Sequence, residues 1–250
     1  MSTATYRCVM LDVNYYVTVV EDPIVLVSDI HTNFSDEKMT LITRLTDEVG
    51  ANSLVVLGDL FDDMHRIVTR DELSRAFRVI FRRNDVNKLE VYYVTSLSSH
   101  DPILSRDLHL YLDNTRVHLY PGALIAQAGG MKAFLTHGDI IVKNGAHAFI
   151  VNLLAEAFGR TLYLERKLRR LLRLPDNWWL FMGHTHLSGL DPASKIGNTG
   201  SWRNAWMPGV PYWRPPSHTM IYLGDNKIKL LHIGERRVRD IKGVVDTRTR

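Results

Sequence analysis

Aspartate and histidine side chains recur in this sequence directly after short apolar runs. Asp29 and His31 follow the run from Ile24 to Ser28, and a spacing of two points both side chains the same way in extended backbone. Asp59 follows the next apolar run about 30 residues later, which is the length of one βαβ crossover. Later runs precede three further groups, His100-Asp101, His137-Gly138-Asp139 and His184-Thr185-His186. Imidazole and carboxylate groups that meet at one point suit borderline divalent ions such as manganese, iron or zinc.

The apolar runs themselves predict strands that alternate with helices. Buried strands are expected at Ile24 to Ser28, Ser53 to Leu57 and Leu89 to Ser96, with an edge strand at Val13 to Val20. Helices are expected over residues 35–50, with Ser35 as the N-cap, and over residues 71–82. This alternation implies a parallel sheet, whose strands end at the edge where open α/β folds bind ligands.

The second half of the chain predicts a more antiparallel arrangement. One hairpin is expected from Ala123 to Thr136 and another around residues 224–226. Between them, a helical stretch over residues 140–174 precedes a strand that ends at Met182. We therefore expect one domain over residues 1–250, with a helical, cap-like insertion over residues 140–175.

The number of candidate ligands indicates more than one metal ion. Six histidine and aspartate side chains exceed the four ligands that a single zinc site normally takes. Two ions that share a bridging carboxylate would use all six. Such a pair, roughly 3.5–4 Å apart, clamps the attacking and departing oxygens of a phosphoryl group and generates a hydroxide nucleophile near neutral pH.

Taken in order, these blocks resemble those of the calcineurin-like metallophosphoesterase superfamily. The matching blocks are Asp29-x-His31, Gly58-Asp59-x-x-Asp62, His100-Asp101, His137-Gly138-Asp139 and Gly183-His184-x-His186. The resemblance covers about residues 24 to 201. It implies an α/β fold, a four-layer αββα sandwich of two mixed β-sheets flanked by helices, with a dinuclear metal site. Manganese is the first expectation for both ions, with iron or zinc as alternatives.

The resemblance also implies a role for each residue. The ligands of the first metal would be Asp29, His31 and His186, the bridging ligand Asp59, and the ligands of the second metal His137 and His184. His100 would donate a proton or stabilise charge at the leaving group, and Asp101 would orient it. Asp62 and Asp139 would orient ligand imidazoles. The alternative for both, and for Asp63, is an ordinary exposed acid in a turn.

One block departs from the superfamily pattern at Ser99. The pattern there is Gly-Asn-His-Asp or Gly-Asn-Arg-Asp, whose asparagine ligates the second metal, whereas this chain has Ser98-Ser99-His100-Asp101. Three interpretations stay open. Ser99 coordinates directly or through water, the second site is weak and fills only at high metal or with substrate, or activity is lost while the fold is retained.

The helical stretch suggests a substrate. Residues 160–175 carry six basic residues and one acid, Glu165, with leucines at helical spacing. Such a stretch is usually a solvated face, but it can also lie at an anionic membrane surface or cap an acidic substrate through Arg169 and Arg170. Its position, together with Asn198 to Trp202, resembles the superfamily branch that cleaves the lipid-linked pyrophosphate UDP-2,3-diacylglucosamine.

The loop that follows residue 200 is rich in tryptophan and proline. It is either a packed loop or a substrate-lining segment, in which Trp202, Arg203 and Tyr212 would stack on a base or sugar and contact phosphate. Single-stranded nucleic acid would fit the same aromatic and arginine side chains, but no long basic stripe favours it.

Composition sets the remaining limits. The single cysteine, Cys8, excludes an intrachain disulfide and a thiolate cluster, which favours the cytoplasm. No apolar run approaches the roughly 18–20 residues of a membrane span, so membrane contact would be peripheral. The net charge of +4 leans mildly toward anionic partners.

The sequence therefore predicts a dinuclear-metal-dependent phosphoesterase. It would hydrolyse a phosphodiester or pyrophosphate of an organic or lipid-linked substrate by metal-activated hydroxide. A catalytically weakened interaction module with the same fold, and a nuclease, are the alternatives.

Overall fold

A computed structural model describes residues 4–8, 13–21, 23–33, 37–81, 89–97, 100–128, 130–207, 210–211, 214–234 and 237–246 of the chain. The strands among these residues are β1 (Ala4–Cys8), β2 (Val13–Val19), β3 (Ile24–Val27), β4 (Ser53–Leu57), β5 (Leu89–Thr95), β6 (Leu108–Leu112), β7 (Thr115–Pro121), β8 (Ala123–Ala128), β9 (Met131–Thr136), β10 (Trp179–Met182), β11 (Gly189–Asp191), β12 (Ile196–Asn198), β13 (Ala205–Met207), β14 (Val210–Pro211), β15 (Thr219–Gly224), β16 (Lys227–Gly234) and β17 (Arg237–Asp246). The helices are α1 (Lys38–Glu48), α2 (Arg70–Ile80), α3 (Gly145–Ala157) and α4 (Tyr163–Leu171).

Two mixed sheets form the centre of the fold. One sheet has eight strands in the order β17-β16-β15-β3-β4-β5-β7-β6, and its four central strands, β3, β4, β5 and β7, are parallel. The other has seven strands in the order β1-β2-β8-β9-β10-β12-β11, in which β9, β10 and β12 are parallel. A short antiparallel pair, β13 and β14, lies apart from both sheets.

Alternation along the strands decides how the layers pack. In β4, Val55 and Leu57 belong to a core shared by both sheets, whereas Leu54 and Val56 pack with α1 and α2 on the outer face. Successive side chains of a strand point to opposite faces, so a fully apolar strand is buried on both sides. On the outer face of the seven-stranded sheet, Leu168 of α4 packs against sheet residues. The result is the four-layer αββα sandwich of two mixed sheets that the resemblance implied.

Several boundaries differ from the sequence prediction. The strand predicted at Val13 to Val20 forms as β2, but β1 pairs with it, so β2 lies one position in from the edge. The helical stretch divides into α3 and α4, because the chain adopts a left-handed conformation at Leu162 (φ 51°) just before α4. The predicted N-cap Ser35 lies outside the described residues, and α1 begins at Lys38.

Parallel pairing brings the chemically important strand ends together. The strands β3, β4 and β5 run side by side, so the loops after them leave at one edge of the eight-stranded sheet. The strands β9 and β10 are also adjacent and parallel, and their loops leave at the corresponding edge of the second sheet. Within the described part of the chain, none of the helices has the length and apolar character needed to cross a membrane.

Candidate metal centre

Loops from both sheets meet at one place and carry the predicted ligands, which we call the His/Asp cluster. Its members are Asp29, His31, Asp59, His137, His184 and His186, all of them largely buried. Backbone hydrogen bonds join the loops, since His31 N donates to Asp59 O at 3.0 Å and Gly183 N donates to His137 O at 3.0 Å. The prediction that these side chains converge is therefore met in the geometry.

Three groups of side chains in this region place ligand atoms within 4.8 Å of one another. They are Asp29 with His31 and His186, His31 with Asp59 and His100, and Asp29 with Asp59 and His137. Asp29, His31 and Asp59 each belong to two of the groups. The Oδ2 atom of Asp59 lies 3.7 Å from Nε2 of His31 and 3.5 Å from Nε2 of His137.

The backbone of these loops is strained. The φ angles are 50° at Asp29, 50° at His31, 49° at Asp59, 69° at His100, 64° at His184 and 57° at His186. Residues other than glycine rarely adopt the left-handed region, and each instance costs on the order of 1–3 kcal/mol. Such strain persists only where the surrounding contacts fix it, and it concentrates at sites that bind ligands or catalyse reactions.

Close approach of the loops also requires glycine at two positions. A Cβ atom at Gly58 would lie 2.4 Å from the ring of His137, and one at Gly183 would lie 2.5 Å from Oδ2 of Asp29. Gly58 also has φ +75°, a conformation that side chains disfavour. These glycines let ligand side chains come as close as they do.

A buried network, which we call the acid–amide network, holds the loop of residues 183–186. Its members are Asn152, Glu165, Thr185 and Asn198. Glu165 accepts hydrogen bonds from Asn152 Nδ2 at 2.9 and 3.1 Å, from Thr185 Oγ1 at 2.9 Å and from Asn198 Nδ2 at 2.7 Å. Asn198 also donates to the first carbonyl of the loop at 2.8 Å. Because Thr185 lies between two ligand histidines, the network connects α3 and α4 to the metal ligands.

Polar atoms of Asp59 and His31 are buried without a hydrogen-bond partner among the described residues. They are Asp59 Oδ1 and His31 Nε2. Both oxygens of Asp29 have neighbours, since Oδ1 lies 3.0 Å from His186 Nε2 and Oδ2 accepts from Ser28 Oγ at 2.5 Å and His184 N at 2.9 Å. Buried polar atoms normally have partners, and a carboxylate oxygen and an imidazole nitrogen that lack one are ligand atoms suited to a divalent cation.

His137 and His184, which we call the site pair, place two ring nitrogens face to face. Nδ1 of His137 contacts Leu57 O at 2.9 Å, and Nε2 of His184 contacts Val142 O at 2.6 Å. A carbonyl only accepts, so both of these nitrogens carry the hydrogen of a neutral ring. The remaining nitrogens, His137 Nε2 and His184 Nδ1, are 3.0 Å apart and would each present a lone pair. The two lone pairs repel each other, and a proton or a metal ion between the two nitrogens removes this repulsion.

The pKa values of the cluster agree with such a proton. Burial opposes protonation of His137, but the charges of Asp59 and Asp29 outweigh it and raise its pKa to about 10. Burial also raises the pKa of Asp59 well above its ordinary value. The raised pKa of His137 favours a proton on its Nε2 at neutral pH, where that nitrogen faces His184 Nδ1 and lies 3.5 Å from Asp59 Oδ2. Metal binding would displace that proton.

The pKa values of three other candidate ligands, His31, His184 and Asp29, are lowered. Burial lowers the pKa of His31 to about 3 and, together with the charge of His137, that of His184 to about 4. Burial acts to raise the pKa of Asp29, but the neighbouring His186 and the other histidines outweigh it and lower that pKa. Neutral imidazoles and an ionised carboxylate offer lone pairs without prior deprotonation. The residues present therefore fit a divalent metal centre.

The contacts of His100 and Asp101 differ from the predicted pairing. Nδ1 of His100 contacts Asp62 O at 2.7 Å, and its ring lies 4.7 Å from that of His31. The carboxylate of Asp101 accepts backbone hydrogen bonds from Ser96 at 2.7 Å, Asp59 at 2.8 Å and Leu60 at 3.1 Å. Asp101 thus ties the ends of β4 and β5 together, and the Asp62 carbonyl orients His100. Asp101 does not pair with His100, because its carboxylate is fully buried and bonds to the backbone.

Asp62, Arg203 and Asp139 surround the cluster. Asp62 Oδ1 lies 3.4 Å from His31 Nδ1, as expected of a carboxylate that orients a ligand imidazole. Arg203 lies 3.4 Å from the same Asp62 oxygen and 3.5 Å from His31 Nδ1, so it reaches the cluster. Asp139 accepts a hydrogen bond of 2.6 Å from Leu97 N and so holds the loop after β5.

The remaining predicted substrate residues lie elsewhere. Trp202 is buried in the core and donates to Thr219 O at 3.3 Å. Arg169 donates to the carbonyls of Trp178 at 2.7 Å and Pro175 at 2.8 Å, and Arg170 is exposed on α4. The sequence pattern predicted that these residues form a basic, aromatic surface for substrate. Instead, Trp202 packs in the core and Arg169 anchors the loop after α4. Ser99 and Tyr212 lie outside the described residues.

Two contributors were missed by the sequence reasoning. Trp206 stacks on His186, with ring centroids 5.4 Å apart and planes at 20°, and also contacts Phe149 edge-on at 5.3 Å. In the sequence, Glu165 stands out only as the single acid of the basic stretch over residues 160–175. An acid that interrupts such a stretch at an apolar helix position was the available signal for it.

Comparisons with known proteins find similarity only at low levels. No protein-family model matches the sequence, and no curated protein matches it. Similar solved structures include vacuolar protein sorting 29 from Cryptosporidium parvum, with 16% identity over 90% of this chain and 98% of that chain and a TM-score of 0.49. YfcE, a phosphoesterase from E. coli, has 18% identity over 90% and 100% of the two chains and a TM-score of 0.45. GAP50, the anchor in the inner membrane complex of Plasmodium, has 10% identity over 88% and 87% and a TM-score of 0.46. Likeness at these levels transfers no activity to this chain.

Proposed function

We propose that this protein is a metal-dependent phosphoesterase of the calcineurin-like type. The proposal is supported above all by the site pair, the partnerless atoms of Asp59 and His31, and the closeness of the carboxylate and imidazole ligand atoms of the cluster, within 4.8 Å of one another in each group. The order of the five sequence blocks supports the same class.

Two divalent ions would be held by the His/Asp cluster. Asp29, His31 and His186 would hold the first, Asp59 would be shared, and His137 and His184 would hold the second. Mixed imidazole and carboxylate ligands favour manganese, with iron or zinc as alternatives. Bound there, the ions would supply a hydroxide nucleophile near neutral pH and neutralise charge on the phosphoryl oxygens.

The protein's own side chains would position the substrate and move protons. His100 is half-buried, and the contact of its Nδ1 with Asp62 O leaves Nε2 available to the leaving group. Hydrolysis adds one water and breaks one P–O bond: the hydroxide goes to phosphorus, and the other proton of the water would reach the departing oxygen by way of His100 Nε2, which would take it up and then donate it. Arg203, close to His31, would bind a phosphoryl oxygen.

The test begins with protein stripped of metal by chelation and reloaded with manganese. We expect hydrolysis of bis-p-nitrophenyl phosphate that appears only after reloading, together with up to two metals per chain. Less than one metal per chain and no turnover with any divalent ion would favour the interaction module instead. Turnover that survives chelation would exclude the metal mechanism.

Ser99 determines how strongly the second metal is expected to bind. The amide of an asparagine is a longer side chain than the serine hydroxyl, so Ser99→Asn should raise occupancy of the second site. Calorimetric titration with manganese compares the variant with the parent. Two equally tight sites in both proteins would show that Ser99 does not limit the second metal.

A phosphodiester or pyrophosphate of an organic or lipid-linked compound, met in the cytoplasm or at a membrane surface, would suit the cluster and its neighbouring arginine. Salt-sensitive binding and cleavage of single-stranded DNA would instead identify a nuclease.

A further inference from the structure

A cavity of about 390 Å³, which we call the side cavity, opens beside the His/Asp cluster. His186 and Ser201 line it. Both also contact Asp29, since His186 Nε2 lies 3.0 Å from Oδ1 and Ser201 Oγ donates to the backbone carbonyl at 3.3 Å. The side cavity therefore begins where the metal ligands end, and a group attached to a phosphoryl centre at the cluster can extend into it.

The charged side chains of the side cavity are balanced. Arg214 and Glu156 of its wall form an ion pair of 2.9 Å. Asp191, also in the wall, pairs with Arg166 at 2.6 Å. The second phosphate of a pyrophosphate ester would bring additional negative charge into this wall. A wall with compensated charges favours an uncharged group.

The wall of the side cavity contains both polar and apolar side chains. The hydroxyls of Ser188, Ser201 and Ser217 lie in the same wall as Phe149 and Leu190. An acyl chain would leave such hydroxyls and ion pairs against hydrocarbon, which is unfavourable. A sugar or nucleoside has both hydroxyls and an apolar face and can satisfy both kinds of surface. The volume lies near the lower end of the roughly 300–1,000 Å³ of ligand pockets, which suits one such group.

We infer that the side cavity binds one ester group of a phosphodiester substrate, an uncharged, hydroxyl-bearing group the size of a sugar or nucleoside. This inference rests on the proposed function. The reaction adds one water to the diester and breaks one P–O bond; the hydroxide goes to phosphorus and the proton to the departing oxygen, which gives a phosphomonoester and an alcohol. The side cavity thus selects a diester of a sugar or nucleoside over a pyrophosphate or a lipid ester.

Two chromogenic diesters test the inference on the manganese-loaded protein. They are the p-nitrophenyl ester of thymidine 5′-monophosphate and methyl p-nitrophenyl phosphate, which share a leaving group and differ in the ester group. We expect kcat/KM to be at least about tenfold higher for the thymidine ester. Ser188→Trp, which fills the side cavity, should bring the ratio of the two values close to one.

A matched variant controls for the bulk of tryptophan. Ala193 is exposed on the turn after Asp191 and lies outside the side cavity, so Ala193→Trp should keep the parental ratio. Equal values for the two diesters in the parent, or an unchanged ratio in Ser188→Trp, would overturn the inference. Faster cleavage of hexadecyl p-nitrophenyl phosphate or of UDP-glucose would overturn it as well.

Binding of thymidine, measured by saturation-transfer NMR, separates this inference from the proposed function. Thymidine has no phosphate, so its binding needs neither catalysis nor metal. If thymidine binds the parent and not Ser188→Trp while no diester is cleaved, the side cavity is supported and the proposed function fails. If diesters are cleaved without preference and thymidine does not bind, the side cavity assignment fails and the proposed function stands.

Discussion

Among the residues that the structure describes, two pairs of histidines bring ring nitrogens close together, and the pairs differ in what surrounds them. In the site pair, His137 and His184, the facing nitrogens are 3.0 Å apart. His109 and His118, which we call the strand pair, are register partners on β6 and β7, with Nδ1 atoms 2.8 Å apart. Nitrogen spacing alone does not distinguish the two pairs.

The carboxylates distinguish them. In the strand pair, Asp107 and Glu90 contact the outer nitrogens, at 3.2 Å from His109 Nε2 and 2.8 Å from His118 Nε2. In the site pair, backbone carbonyls hold the outer nitrogens, and Asp59 lies 3.5 Å from the inner nitrogen Nε2 of His137. A carboxylate beside the facing nitrogens can add a ligand for a metal held between them, whereas carboxylates on the outer nitrogens cannot.

Removal of the inner carboxylate should have the largest effect. Asp59→Asn takes the shared charge from the cluster, so we expect manganese affinity and diester hydrolysis to fall by at least about 100-fold, more than the 10–100-fold typical of outer partners. Asp107→Asn is the matched change in the strand pair and should leave both values unchanged. Equal losses in the two variants, measured by calorimetry and bis-p-nitrophenyl phosphate turnover, would contradict the comparison.

The acid–amide network should matter next. Glu165→Leu leaves buried donors of Asn152, Thr185 and Asn198 without their acceptor, each at a cost of about 1–3 kcal/mol. We expect lower thermal stability and, at a temperature where the variant remains folded, manganese affinity about 10–100-fold weaker.

The control for this variant is Glu90→Gln, which changes the acid of the strand pair. It should leave metal affinity as it is in the parent. A cobalt-loaded protein gives an additional readout, because its visible spectrum reports ligand geometry. An unchanged spectrum in Glu165→Leu would show that the network does not position the ligand loop.

The proton of the site pair should be released on metal binding. The charges of Asp59 and Asp29 raise the pKa of His137 to about 10, so the metal-free protein retains this proton at neutral pH. Its nitrogen must lose the proton to bind a metal, so manganese affinity should rise with pH between about 6 and 8. Calorimetry at pH 7 in two buffers of different ionisation enthalpy should show about one proton released per metal at this site. Identical heats in both buffers would rule out the shared proton.

The smallest effect is expected in the strand pair itself. His118 is half-buried, with a side chain 14% exposed. We expect His118→Gln to change stability by about 1 kcal/mol or less and to leave metal content unchanged. Loss of a bound metal in this variant would mean that facing nitrogens suffice for a metal site here.

The sequence predicted more of the His/Asp cluster than of the residues that hold the cluster in place. Asp29, His31 and Asp59 could be placed because each follows a recognisable strand, and parallel strands end at one edge. Trp206 could not be placed, and for Glu165 the local signal was only an acid at an apolar helix position. Neither residue type shows that an acid of α4 and a ring beyond β12 reach the loop between them. The prediction that Trp202 contacts substrate was wrong for its side chain, which is buried in the core. An aromatic residue beside an arginine fits both a core and a surface, so the sequence could not decide between them.

By itself, the sequence determined the central strands β3, β4 and β5, the points where they end and the imidazole and carboxylate groups that follow them. Periodicity and residue type act within a few residues of the chain, so these features are written locally. The tertiary structure alone decided which histidine pair has a carboxylate beside its facing nitrogens, where the left-handed loops are held, and that a side cavity adjoins His186. Those outcomes depend on contacts between residues far apart in the chain, such as the 2.9 Å hydrogen bond from His184 N to Asp29 Oδ2.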